Sequence, residues 1–273
     1  MANYWTEQPA MMPTRGIPRG VRGLLIITVA FFIVQIVADG ITNGALTRLL
    51  ALSWPGLKKL FFWQLVTYLF MHGGVGHLLL NMLSLFFIGP DTERALGTRR
   101  FLLLYFLSGI IGGVGWLLMS FTPWAICVGA SGAVFGVLGA FAALFPNRPV
   151  TLLVFYILPV TMKAWVLATV LVAIQLLFLV GSGEGGIAYS AHIAGGIAGY
   201  LFTMIITGRL DVSRFLRGRV LKKMSGPSAD TRTEKEVDRI LDKIAAEGIG
   251  SLTSKERAFL EQVSRERRGN NTG

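Results

Sequence analysis

The 273-residue sequence predicts an all-α membrane protein: six transmembrane helices in a bundle, followed by a short helical tail. Three observations carry that expectation. Only 15% of the residues are charged, against about 25% in a soluble domain. Hydrophobic residues make up 53% of the chain, and the mean hydropathy is +0.59. The apolar residues also come in long runs, separated by Gly/Pro turns and Arg-bearing connections, as in a chain that crosses a bilayer repeatedly. The same composition excludes collagen, coiled coil and intrinsic disorder.

Residues 1–22 are polar and end in Arg15, Arg19 and Arg22. The first apolar run, Leu24 to Ala38, has a long preceding segment and no small-x-small cleavage pattern after it, so it reads as an anchoring span rather than a signal peptide. The stretch Ile41–Phe70 mixes Trp54, Phe61, Phe62 and Trp63 with Lys58 and Lys59, the composition of a loop lying in the membrane interface. Five more spans follow. They are Val75–Ile88, ending at Gly89-Pro90, then Phe101–Phe121, Ser131–Phe145, Met162–Val180 and Tyr189–Thr207. Several are shorter than the ~20 residues a lipid-exposed span needs, which suits helices inside a bundle. Val150–Pro159 is apolar but brief and reads as interfacial. The boundaries are thus a tail over 1–22, a six-span domain over 23–208 and a basic tail over 209–273.

The formal net charge is +11. In a membrane protein such an excess is a topology signal, not a nucleic-acid footprint, so no nucleic-acid partner is expected. Arg15, Arg19, Arg22, Arg94, Arg99, Arg100, Arg148, Lys163 and the basic C-terminal segment all fall on one side of a six-span arrangement. The loops Thr122–Gly129 and Gly181–Ala188 hold no Lys or Arg. The expectation is therefore that both termini are cytoplasmic. The single cysteine, Cys127, removes any intramolecular disulfide and any multi-cysteine metal site. It reads as a small packed residue.

Six spans could build a channel, a transporter or an enzyme, and polar residues inside the apolar runs decide among them. No Asp, Glu, Lys or Arg lies mid-span, which disfavours a proton-coupled transporter or ion pump. Ser131 lies between Gly129-Ala130 and Gly132 at the outer end of span four. Glycine on both sides leaves its hydroxyl approachable, although an ordinary helix N-cap serine would give the same string. His192 lies at the same depth in span six. Gly195 and Gly199 form a G-x-x-x-G face that lets another helix approach closely, and span four offers Gly132, Gly136 and Gly139 in return. Contact of the two faces would bring hydroxyl and imidazole together as nucleophile and general base. In span two, His77 and Asn81 are spaced i, i+4 on one helix face. Two neutral donors there suit a developing oxyanion; a helix–helix hydrogen bond is the plainer alternative.

These residues together resemble the rhomboid family of intramembrane serine proteases. The resemblance covers roughly residues 20–208 and rests on His77…Asn81, Glu93…Gly97, Gly129-Ala130-Ser131-Gly132 and Ala191-His192…Gly195…Gly199. It implies a six-helix bundle with a short, sunken fourth helix. It further implies Ser131 as nucleophile, His192 as base, and an oxyanion hole of His77, Asn81 and the Ser131 N–H. It implies no third acidic residue, metal or organic cofactor. His72 matches a structural or water-holding histidine. The implied partners are single-span membrane proteins cut near the outer face, within the lipid bilayer of a bacterial inner membrane. Two departures stand out: Gln64 follows Trp63 where some members have Arg, and Phe135 stands where some have Tyr against the histidine. Since the family also contains inactive relatives, a non-catalytic protein that binds transmembrane helices is the other reading.

The tail carries six basic residues and one acid over Arg209–Lys223, which reads as a helix on the inner leaflet. Two amphipathic helices follow. One has Val237, Ile240, Leu241 and Ile244 after a capping box Thr233…Glu236. The other has Phe259, Leu260 and Val263 after a box Thr253…Glu256, and Gly248-Ile249-Gly250 joins them.

Overall fold

The computed structural model describes residues 16–120, 124–154, 158–181, 187–210 and 229–269. The chain divides into two units, Met1–Leu210 and Asp211–Gly273.

The first unit is helical. Helix α1 (Arg19–Thr42) is followed by three short helices, α2 (Ala45–Leu50), α3 (Trp54–Lys58) and α4 (Gln64–Thr67), and a 3₁₀ turn at Tyr68–Phe70. Then come α5 (Val75–Leu96), α6 (Thr98–Met119), α7 (Ser131–Leu144), a hairpin of β1 (Pro149–Val154) and β2 (Leu158–Lys163), α8 (Ala164–Gly181) and α9 (Ile187–Ile206). Arg19–Thr42, Thr98–Met119 and Tyr189–Ile206 are long and apolar enough to cross a membrane. A fourth crossing is available if Gln64–Phe70 and Val75–Leu96, bent by 95°, count as one span. Helices α7 and α8 are apolar but shorter. The protein is a multi-pass, mostly helical membrane protein.

Helix α7 is the centre. Gly132, Val134, Gly136, Val137, Gly139, Ala140 and Ala143 are buried, so neighbouring elements enclose most of it. At 1.5 Å per residue its 14 residues span only about 21 Å. Packing inside protein removes the need to match the bilayer thickness. Its far end is capped by Arg209, whose Nη1 donates to the Ala143 carbonyl at 2.6 Å. A cation is favoured there by the helix dipole. The Arg148 guanidinium lies over the Phe141 and Phe145 rings and pairs with Asp91 at 2.9 Å.

The outer helix α1 is fixed by a side chain from elsewhere. No side chain of its own caps its N-terminus. Glu93, on α5 and buried, accepts from the Gly20 N–H at 2.8 Å and the Val21 N–H at 2.7 Å, and from Thr98 Oγ1 at 2.7 Å. A carboxylate at the positive end of a helix satisfies two donors the helix cannot satisfy itself.

The structure amends several expected boundaries. The second span does not stop at Gly89-Pro90: α5 continues to Leu96 with Pro90 inside it. Proline removes one intrahelical bond, but Ile88, Gly89, Pro90, Glu93 and Leu96 are all buried, and that packing holds the turn. A Cβ on Gly89 would meet Val21 Cγ2 at 2.9 Å, so α1 passes close at this point. Residues 149–154 and 158–163 pair as antiparallel strands, a small exception to the all-α expectation. Thr151 faces Thr161 in register, their hydroxyls 2.7 Å apart. β-branched residues at 150, 151, 154, 160 and 161 favour this pairing over helix. Helix α8 accordingly begins at Ala164, not Met162.

The second unit contains α10 (Ala229–Glu247) and α11 (Ser254–Gly269), separated by a 3₁₀ turn at Ile249–Ser251. Ile240 and Val263 are buried in it. The second capping box is present: the Glu256 N–H donates to Thr253 Oγ1 at 3.3 Å, and the Thr253 N–H donates to Glu256 Oε2 at 2.9 Å. Glu256 also pairs with Lys243 and Arg239. The expected start at Thr233 is not where α10 begins; the helix starts four residues earlier, at Ala229. The basic segment Arg209–Lys223 lies mostly outside the described residues, as do residues 1–15.

Candidate active site

The site is assembled from a turn, two glycine-faced helices and one end of α5. The turn comes first. Gly129 has φ +122°, a conformation that side-chain-bearing residues rarely adopt. Its N–H donates to the Tyr68 carbonyl at 2.9 Å, and Tyr68 Oη donates to the Gly109 carbonyl at 2.6 Å. Two residues earlier, Leu52 and Cys127 exchange backbone hydrogen bonds of 3.0 and 2.8 Å. The chain therefore enters α7 between two fixed points.

Ser131 is the first residue of α7, and no side chain caps that end. The first intrahelical bond to Ala130 comes from Val134. The N–H groups of Ser131, Gly132 and Ala133 thus have no helical acceptor and point out of the helix end with its positive dipole.

The α7–α9 seam then sets the distance to His192. A Cβ on Gly195 would lie 2.1 Å from the Gly132 carbonyl oxygen, and one on Gly199 would lie 2.0 Å from that of Gly136. On Gly139 it would meet the Gly196 carbonyl at 2.3 Å. Backbones touch along the whole seam, which only glycine permits. Helix α6 joins in the same way, since a Cβ on Gly112 would lie 2.9 Å from the Ala191 carbonyl. The outcome is a hydrogen bond of 2.7 Å between Ser131 Oγ and His192 Nε2. Phe135 stacks on the His192 ring, centroids 4.6 Å apart and planes within 2°, so the phenyl ring retains the stacking contact.

The second ring nitrogen has a partner too. His192 Nδ1 lies 2.9 Å from Gln175 Oε1 on α8. Sequence reading missed this residue. The available signal was an amide in the interior of an otherwise almost wholly apolar helix, a placement that is costly unless the amide is satisfied.

On α5, His77 lies against the turn: a Cβ on Gly129 would meet its Cε1 at 2.6 Å and Nε2 at 2.8 Å. The Gly73 N–H makes a long 3.5 Å contact to His77 Nδ1. An acceptor role for Nδ1 leaves Nε2 as the N–H donor on the Gly129 side. Asn81 is buried and uses one amide hydrogen on the His77 carbonyl at 2.9 Å. An amide carries two such hydrogens. His72 is buried, its ring edge-on to that of His77 with centroids 5.1 Å apart. The His72 N–H donates to Gln35 Oε1 at 2.9 Å, tying α1 to the start of α5.

Gln64 anchors the segment between α2 and α4. It is fully buried. Its Oε1 accepts from the Ser53 N–H and hydroxyl at 3.2 and 3.3 Å, while Nε2 donates to the Leu49 carbonyl at 3.1 Å. Among the described residues, no group of three or more His, Cys, Asp or Glu could hold a metal ion.

A hydroxyl hydrogen-bonded to an imidazole, on a glycine-framed turn at a helix N-terminus, marks the class: helical membrane proteins with a Ser–His pair inside the bundle. The rhomboid domain model matches residues 60–209, more than half of the chain, and the chain belongs to the rhomboid family. Rhomboid-like protease 3 of Toxoplasma gondii is 37% identical over 128 residues, covering 45% of this chain and 48% of that protein. The putative rhomboid protease YdcA of Bacillus subtilis is 45% identical over 89 residues, 32% of this chain and 44% of its own length. Rhomboid protease GluP of the same organism is 44% identical over 79 residues, 29% of this chain and 15% of its own. The chain thus spans less than half the length of these relatives. Residues 230–266 match a family of unknown function, DUF6576.

Proposed function

We propose that this protein is a six-span intramembrane serine endopeptidase of a bacterial inner membrane, with both termini cytoplasmic, cutting single-span substrates near the outer face. The observation that carries the reading is the 2.7 Å bond between Ser131 Oγ and His192 Nε2 at the mouth of a buried helix. In the reaction, Ser131 Oγ attacks the scissile carbonyl carbon while its proton passes to His192 Nε2. The carbonyl oxygen becomes an oxyanion facing the Ser131 N–H, His77 Nε2 and the Asn81 amide. His192 then protonates the leaving amine, and the C–N bond breaks to give an acyl-enzyme. Water, deprotonated by His192, attacks the ester and frees Ser131.

The roles of His192, His77 and Asn81, and the supporting roles of Gly129, Gly132, Phe135, Gly195, Gly199 and His72, all presuppose the Ser131 nucleophile, which reconstitution tests. In proteoliposomes holding a panel of single-span membrane proteins, the wild-type chain yields two fragments and Ser131→Ala yields none. Fragments that persist in Ser131→Ala would refute the assignment. Binding of spans without cleavage by the wild-type chain would favour the non-catalytic reading.

A further inference from the structure

We propose that Gln175 is a positioning residue that fixes the tautomer of His192. The inference rests on the serine-hydrolase reading above and extends it to α8. Ala164, Leu167, Ala168 and Leu171 turn toward the core, and Gln175 follows Ala168 and Leu171 at i+7 and i+4 on that face. An amide among apolar neighbours must find a partner or its burial is unfavourable. The partner is His192 Nδ1 at 2.9 Å.

Direction matters here. A neutral imidazole carries its proton on one nitrogen only. With Gln175 Oε1 accepting, that proton sits on Nδ1, and the Nε2 lone pair faces the Ser131 hydroxyl at 2.7 Å. This is the form able to take a proton from serine. The opposite tautomer would present an N–H to Ser131 and could not act as base. After proton transfer the imidazolium donates through both nitrogens, and the carbonyl of Gln175 remains an acceptor for Nδ1–H. An uncharged amide does this inside a bilayer without the desolvation cost of a carboxylate. Phe135 holds the ring plane, whereas Gln175 sets which nitrogen is protonated. The two contacts are complementary.

The test uses the full chain labelled with ¹⁵N-histidine in micelles, its three histidines assigned by single substitutions. In a Ser131→Ala background, which needs no activity, His192 is expected as the Nδ1–H tautomer; adding Gln175→Met is expected to give a mixture. In the Ser131-containing chain, Gln175→Met should lower kcat by at least roughly tenfold with KM unchanged, the lower bound being what loss of an orienting partner costs at metal-bound histidines. Gln175→Glu keeps an accepting oxygen and should recover most of that loss. A His192 tautomer indifferent to Gln175→Met, or a Glu variant as slow as the Met variant, would overturn the proposal. If no variant cleaves, wild type included, the tautomer result still decides the role of Gln175 while the protease reading alone fails.

Discussion

Helix α5 is built differently at its two ends. Near its start, His77 and Asn81 lie beside a turn whose shape is set by missing side chains: Gly129 there, and the Gly132–Gly195 and Gly136–Gly199 contacts beyond. At its far end, one added side chain does the work, because the Glu93 carboxylate binds the N–H groups of Gly20 and Val21 in the first turn of α1. At the first end any new atom is an obstacle. At the second, any lost atom leaves buried donors unpaired. The first region should therefore answer to substitution in rate, and the second in stability.

Gly199→Val should break this contrast most severely. Its Cβ would lie 2.0 Å from a backbone oxygen that cannot rotate away, so α7 and α9 must separate. A shift of about 1 Å can cost roughly a hundredfold in rate, and cleavage should fall at least that far. Gly196→Ala is the control in the same helix. There a Cβ meets the Phe135 carbonyl at 3.6 Å, an ordinary contact, and cleavage should stay within about twofold, since helical Gly→Ala by itself is favourable. Equal effects would mean that the seam does not set the geometry.

Asn81→Ala should come next. Loss of an oxyanion donor costs ~10²–10³ in turnover, whereas a helix–helix hydrogen bond in a membrane averages about 0.6 kcal/mol. Turnover should collapse while the melting temperature barely moves. Early melting with normal cleavage by the folded fraction would make Asn81 structural.

At the other end, Glu93→Gln should invert the pattern. An amide keeps one accepting oxygen and points an NH₂ group at a donor, a cost of about 1–3 kcal/mol. The melting temperature should drop, with turnover of the folded protein nearly unchanged.

The smallest effect belongs to the second unit. The Thr253 N–H, then Lys243, hold the Glu256 carboxyl down to about 2. A lowered carboxyl pKa gives stability that is present above the unfolded value, about 4.3 for glutamate, and lost as pH falls through the folded one. Hydrogen-exchange protection over 230–266, corrected for intrinsic rates, should decline between pH 4.3 and 2 in the full chain. It should already be reduced at neutral pH in Glu256→Gln.

The contact between Ser131 and His192 was more legible in the sequence than element boundaries were. Ser131 and His192 could be placed at one depth because the basic-residue count sets both span ends on one side, and the glycine faces of the two helices then point to their contact. The length of α5 was hidden, because Pro90 is a strong local stop that only tertiary burial overrides. The pairing of β1 with β2 was hidden for a related reason. A short apolar run does not distinguish strand from interfacial segment, and only the pairing of Thr151 with Thr161 resolves it. Gln175 escaped because a lone glutamine in an apolar run belongs to no spaced pair or glycine-framed turn, and its partner lies 17 positions away on another helix.

The account depends above all on Ser131 being an activated nucleophile. Treating the purified full chain with a fluorophosphonate and mapping the adduct by mass spectrometry tests this most directly. The account predicts a single adduct on Ser131, lost in Ser131→Ala and strongly diminished in His192→Ala while Glu93→Gln still labels. A folded, monodisperse wild-type protein that takes up no probe, or that labels equally well without His192, would contradict it.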